Sequence, residues 1–113
     1  MAPTGDLEVE IPKGPHYRFN HHYDIQIDQI ERYSKFIKEV HIPTMEALGI
    51  RMIGGWYVVV GPGPNIVVEG ASDSVQQILA ALGSKAYRDL ARELLTMVTK
   101  LGSKILAPTG LVN

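Results

Sequence analysis

The chain has 113 residues, 45% of them hydrophobic and 20% charged, with a formal net charge of −1. That is the length and composition of one ordinary globular domain, and the absence of any Lys/Arg stripe argues against nucleic acid or an anionic membrane as a partner. No cysteine is present, which excludes disulfides, thiolate nucleophiles and Cys-based zinc sites and leads us to expect a reducing, cytoplasmic setting.

The first stretch, MAPTGDLEVE, has neither the basic start nor the apolar segment of a secretory signal. No apolar run reaches the ~20 residues of a membrane span. Residues 1–15 are rich in Pro and Gly, with Leu7, Val9 and Ile11 alternating against Glu8 and Glu10. They read as an N-terminal arm, either loose or added to the sheet as an extra edge strand. The domain proper is expected over residues 16–113.

Residues 16–27 alternate cleanly, which predicts a strand. Tyr17, Phe19, His21, Tyr23, Ile25 and Ile27 share one face, and Arg18, Asn20, His22, Asp24 and Gln26 the other. Asp28, with Glu31 three residues on, predicts a capping box that opens a helix. Ile30, Tyr33, Phe36, Ile37 and Val40 form its apolar side. Pro43 removes a backbone donor and should kink or restart the helix near His41. Gly49 should end it.

Residues 50–60 and 66–68 are apolar runs around Gly61-Pro62-Gly63-Pro64-Asn65, a hairpin pattern. Strict alternation would place Ile50, Met52, Gly54, Trp56, Val58 and Val60 on one face, and Arg51, Ile53, Gly55, Tyr57 and Val59 on the other. Both faces are then largely apolar, so both need cover. A second helical region starts at Ser72 or Asp73 and breaks at Gly83-Ser84. It resumes over residues 85–101 with Leu90, Leu94, Leu95, Met97, Val98 and Leu101 as its apolar face. Residues 103–107 close the sheet.

The order strand, helix, strand, strand, helix, strand is the ferredoxin-like βαββαβ pattern: an α+β fold with a four-stranded antiparallel sheet and both helices on one face. Nothing in the chain remains to cover the other face. A second copy, sheet facing sheet in a two-fold homodimer, is the economical solution.

The ordered set Ile42-Pro43-Thr44-Met45-Glu46-Ala47-Leu48-Gly49, Arg51, Gly54-Gly55-Trp56, Gly61-Pro62, Asp73-Ser74, Tyr87-Arg88-Asp89-Leu90 and Ile105-Leu106-Ala107-Pro108 resembles NIPSNAP-type members of the dimeric α/β-barrel superfamily. The resemblance runs over residues 17–108. It implies a homodimer with a cavity between the two sheets and, in many members, work on small molecules without metal or redox cofactor. Relatives carry an acid, an Arg and a Tyr at alternate positions of the first strand. Here those places are Phe19, His21 and Tyr23, so only the Tyr matches.

Arg18, Asn20, His22 and Asp24 are the sharpest cluster, since alternate strand residues point the same way. Ile25 and Ile27, beside the helix entry, should face the helices and turn this polar set to the cavity. The opposite orientation would place His21 and Tyr23 there instead. His22 beside Asp24 is the candidate acid–base pair, Arg18 and Asn20 are candidate ligand-binding groups, and Trp56 and Tyr57 are candidate contacts for an apolar ligand. Gly54-Gly55 within a strand indicates a bulge or room for a ligand.

No metal and no cofactor is expected: His21 and His22 point to opposite faces, and no zinc-type spacing occurs. The GPGP loop lacks the Lys-Ser/Thr pair of a phosphate loop. Three functions follow: a small-molecule-binding homodimer, a cofactor-independent monooxygenase or isomerase, or an interaction module with a filled barrel.

Overall fold

Alternation in the first strand is what the fold is built on. In a computed structural model that describes residues 17–108, β1 spans Tyr17–Ile25, with Phe19, His21 and Tyr23 buried and Arg18 exposed on the opposite side. The arm expected over residues 1–15 lies outside the described residues.

After β1 the chain makes a 3-10 turn over Ile27–Gln29, helix α1 over Ile30–Phe36, a π turn over Ile37–His41, and helix α2 over Ile42–Ala47. The expected capping box is not formed, because Asp28 falls inside the 3-10 turn and no side chain caps α1. Pro43 stands in the first turn of α2, where it has no N–H to give to the preceding turn, and the wider π turn sits immediately before it. Gly49 follows with φ 87°, the left-handed conformation that favours glycine at a helix end.

The hairpin is β2 (Arg51–Tyr57) and β3 (Ile66–Ser72). Helix α3 (Val75–Leu82) is capped by Ser74, whose hydroxyl accepts the Gln77 N–H at 3.2 Å. Helix α4 (Lys85–Leu94) is capped by Ser84, which accepts the Tyr87 N–H at 3.1 Å. Strand β4 covers Val98–Leu106. The sheet order is β2-β3-β1-β4, antiparallel throughout, with the helices on one face. This is the α+β, ferredoxin-like arrangement the sequence pattern implies.

Two expectations about elements need correction. Residues 98–101 belong to β4 and not to the last helix. Leu94, Met97, Val98 and Leu101 keep a helix-like spacing, yet Met97 and Val98 are buried where the chain leaves α4 and enters the sheet. The pairing of β1 with β4 slips between His22 and Asp24, and Lys100 takes a φ of 59° there. The strand expected over residues 50–60 ends at Tyr57, leaving Val59 and Val60 exposed in the loop at 86% and 89%.

The two faces assigned to that strand also change. A bulge between Met52 and Gly54 inserts Ile53 as an extra residue. A bulge reverses the alternation beyond it. Met52 pairs with Gly70 and so with Phe19 on the helix side, whereas Trp56 pairs with Val67 and so with His22 on the open side.

The core lies between sheet and helices: Phe19, Tyr23, Tyr33, Phe36, Met45, Ile50, Ile78, Leu90, Leu94 and Met97 pack there. Gly70 is required by this packing, since a Cβ on it would stand 2.5 Å from Ile50 Cγ2.

Candidate functional site

Two surfaces flank the sheet. On the open face, cross-strand register sets out rows. Arg51, Ala71, Arg18 and Leu106 form one; Gly54, Glu69, Asn20 and Lys104 the next; Trp56, Val67, His22 and Gly102 the third. Arg18, Asn20, His22 and Asp24 therefore do share the open face, and Trp56 joins them in the row of His22. This face is mixed in polarity, not broadly apolar: the bulge at Ile53 and the end of β2 at Tyr57 take away Ile53 and Val59, which strict alternation would set beside Arg51 on it.

His22 lies over Gly102, where a Cβ would meet the ring at 2.4 Å. Asp24 is engaged elsewhere: its carboxylate accepts the Asn65 N–H at 2.7 Å and stands 3.7 Å from Lys100 Nζ. Among the described residues, no hydrogen bond or ion pair joins His22 to Asp24. Arg18 reaches Glu69 at 3.9 Å, and Asn20 Oδ1 is buried without a hydrogen-bond partner among the described residues.

The second surface is a groove of about 560 Å³ between edge strand β2 and the helical layer. The helices contribute Tyr33, Ser34, Ile37, Lys38 and Ile42, and the hairpin contributes Met52, Ile53, Gly54, Gly55, Trp56, Ile66 and Val68. Three local features open it. The π turn widens the helix at Ile37 and Lys38. The bulge lifts Ile53 out of the ladder. Gly55 carries no side chain into the space, where a Cβ would meet only the Val67 carbonyl oxygen at 3.9 Å. Both readings of Gly54-Gly55, bulge and room, thus describe the same place. Trp56 borders the groove; Tyr57, two-thirds exposed, is not among its lining residues.

Behind the groove, the Tyr33 and Tyr23 hydroxyls are hydrogen-bonded at 2.5 Å. Burial pushes the pKa of both phenols up, so both stay protonated.

Deeper still is a cluster that sequence reasoning passed over. His21 Nε2 and the Tyr87 hydroxyl are hydrogen-bonded at 2.7 Å, and their rings stack 2° from parallel with centroids 5.8 Å apart. The ring of His41 stands 5.5 Å from that of His21, centroid to centroid. His41 is fully buried, and neither of its ring nitrogens has a hydrogen-bond partner among the described residues. Burial lowers the pKa of His21 to about 3, helped by the neighbouring His41 and His22, and that of His41 to about 4. The signal was visible in part: His21 alternates with Phe19 and Tyr23. The position of His41 beside it was not, because the π turn sets that. Among the described residues, no group of three or more His, Cys, Asp or Glu side chains is gathered as a metal site would need.

No protein-family model and no curated protein matches the chain. Solved structures do. A NIPSNAP family protein from Agrobacterium tumefaciens is 17% identical, with a TM-score of 0.64 over 84% of this chain and 94% of that one. An uncharacterized NIPSNAP-like domain protein from Burkholderia xenovorans is 16% identical, with a TM-score of 0.60 over 88% and 91%. A candidate antibiotic biosynthesis monooxygenase from Nitrosomonas europaea is 12% identical, with a TM-score of 0.62 over 82% and 98%. Among the described residues no helix is long and apolar enough to cross a membrane. The chain is thus similar in fold, over most of its length, to NIPSNAP family proteins and to a monooxygenase-like neighbour.

Proposed function

We propose that the chain is a small-molecule-binding protein that works as a homodimer. The observation that carries the binding reading is the groove beside β2. It has the size of ordinary ligand pockets, is lined mainly by apolar side chains, and holds few polar groups. The dimer reading is supported by a sheet whose helices, among the described residues, lie on one face, and by the exposed run Trp56, Tyr57, Val59 and Val60 along the hairpin. In such a dimer Arg18, Asn20, His22, Asp24 and Trp56 would face the second sheet. That polar set would line the space between subunits, while the groove takes the apolar ligand.

An acid–base role for His22 and Asp24, as in a cofactor-independent monooxygenase or isomerase, draws less support. The Asp24 carboxylate is already held by Asn65 and Lys100. A filled barrel that serves only as an interaction module leaves the groove without a role.

The neutral dye N-phenyl-1-naphthylamine tests the binding reading. It should brighten and shift to the blue on adding the protein. Gly55→Leu, which fills the groove with little backbone conflict, should abolish that response while thermal unfolding stays two-state and near the parent value. An equal response in both proteins places the dye elsewhere and sinks the groove as the site.

A further inference from the structure

We propose that the groove selects an apolar molecule with an anionic head, of the class of medium-chain carboxylates. This rests on the groove being the binding site and names what enters it. The lining is apolar along its length: Ile37, Ile42, Met52 and Ile53 supply the walls. Among the described residues its only charged lining residue is Lys38, with Ser34 one helical turn before it as the neutral donor on the same side. Among the described residues, no carboxylate lines the groove.

Among the described residues, the ion pairs go to Arg18, Lys85, Arg92 and Lys100, and none to Lys38. The Lys38 ammonium is thus available at the rim, in the π turn that opens the groove. A lone cation at the mouth of an apolar slot complements an amphiphile lying tail inward and anion outward. The lysine stem can lie along the tail while its head stays in water. A cationic ligand would meet the same charge as repulsion.

Trp56 is the only tryptophan in the sequence and borders the groove, so its emission reports occupancy directly. The experiment titrates decanoate, decanol and decylammonium, each below its aggregation limit. The expected order of affinity is decanoate, then decanol, then decylammonium. An exposed pair of this kind gives about two- to five-fold between neighbours in the series.

Lys38→Glu should invert the order while the affinity for decanol stays within about two-fold. Lys38 is exposed, so the variant should fold as the parent does. Equal affinities for all three, unmoved by Lys38→Glu, overturn the anion selectivity and leave a groove that binds by apolar contact alone. No change in Trp56 emission with any of the three overturns the groove reading itself.

Discussion

At the residue scale the most consequential side chains are the two buried histidines. Both are neutral in the folded protein, with pKa values held down to about 3 for His21 and about 4 for His41 against ~6.5 in an unfolded chain. Their contribution to stability is complete above pH ~6.5 and is lost as the pH falls toward the folded values, because the unfolded chain takes up protons first. The loss approaches about 1.4 kcal/mol per pH unit for each histidine. Urea midpoints measured at pH 7 and pH 5 should therefore fall steeply.

His41→Met separates the two groups. It replaces a ring with two unpartnered nitrogens by an apolar chain of similar size, so stability at pH 7 should hold or rise by roughly 1 kcal/mol. The acid slope should drop by about half. An unchanged slope in that variant would show that His41 is not a buried neutral group.

At the scale of elements, two local irregularities decide what the sheet edge can do. The bulge at Ile53 switches which residues of β2 meet the helices, and the π turn repositions Ile37, Lys38 and His41 against that edge. Gly70 lets β3 pass beneath Ile50 and Met52, whose nearest atoms would lie 2.5 Å and 3.3 Å from a Cβ. Ile50 is fully buried and has nowhere to go. Gly70→Ala should therefore destabilise by about 1–3 kcal/mol, the usual cost of overpacking, read as a lower midpoint in chemical denaturation with an unchanged slope. A neutral result would mean that the β2–β3 pair can spread without loss.

At the scale of the whole molecule the question is what meets the open face of the sheet. A second copy is the proposal, and sedimentation equilibrium at micromolar concentration should give twice the chain mass. Val60→Asp tests it from the hairpin end. Val60 is 89% exposed in the single subunit, so the charge should leave the fold intact. In the dimer it should be desolvated and should weaken association at least about five-fold, on the order of 1–3 kcal/mol. A folded monomer in the parent protein at that concentration would remove the dimer reading.

How much of this was legible in the residues follows from the range of the forces involved. Alternation in β1, the order of elements and the resemblance carried by the Pro43-to-Trp56 and Tyr87-to-Pro108 motifs determined the ferredoxin-like fold and put Arg18, Asn20, His22 and Asp24 on one face. These are periodic or nearest-neighbour properties, and a period of two survives any tertiary context that keeps the strand. The tertiary structure alone decided the rest. One inserted residue at Ile53 reversed a face, and hydrogen bonding of 98–106 to β1 made a strand of what reads as a helix end. Asp24 went to Asn65, a residue 41 positions away. The groove and the His21–His41 contact exist only because segments distant in sequence close on each other, and no periodicity in either segment encodes that meeting.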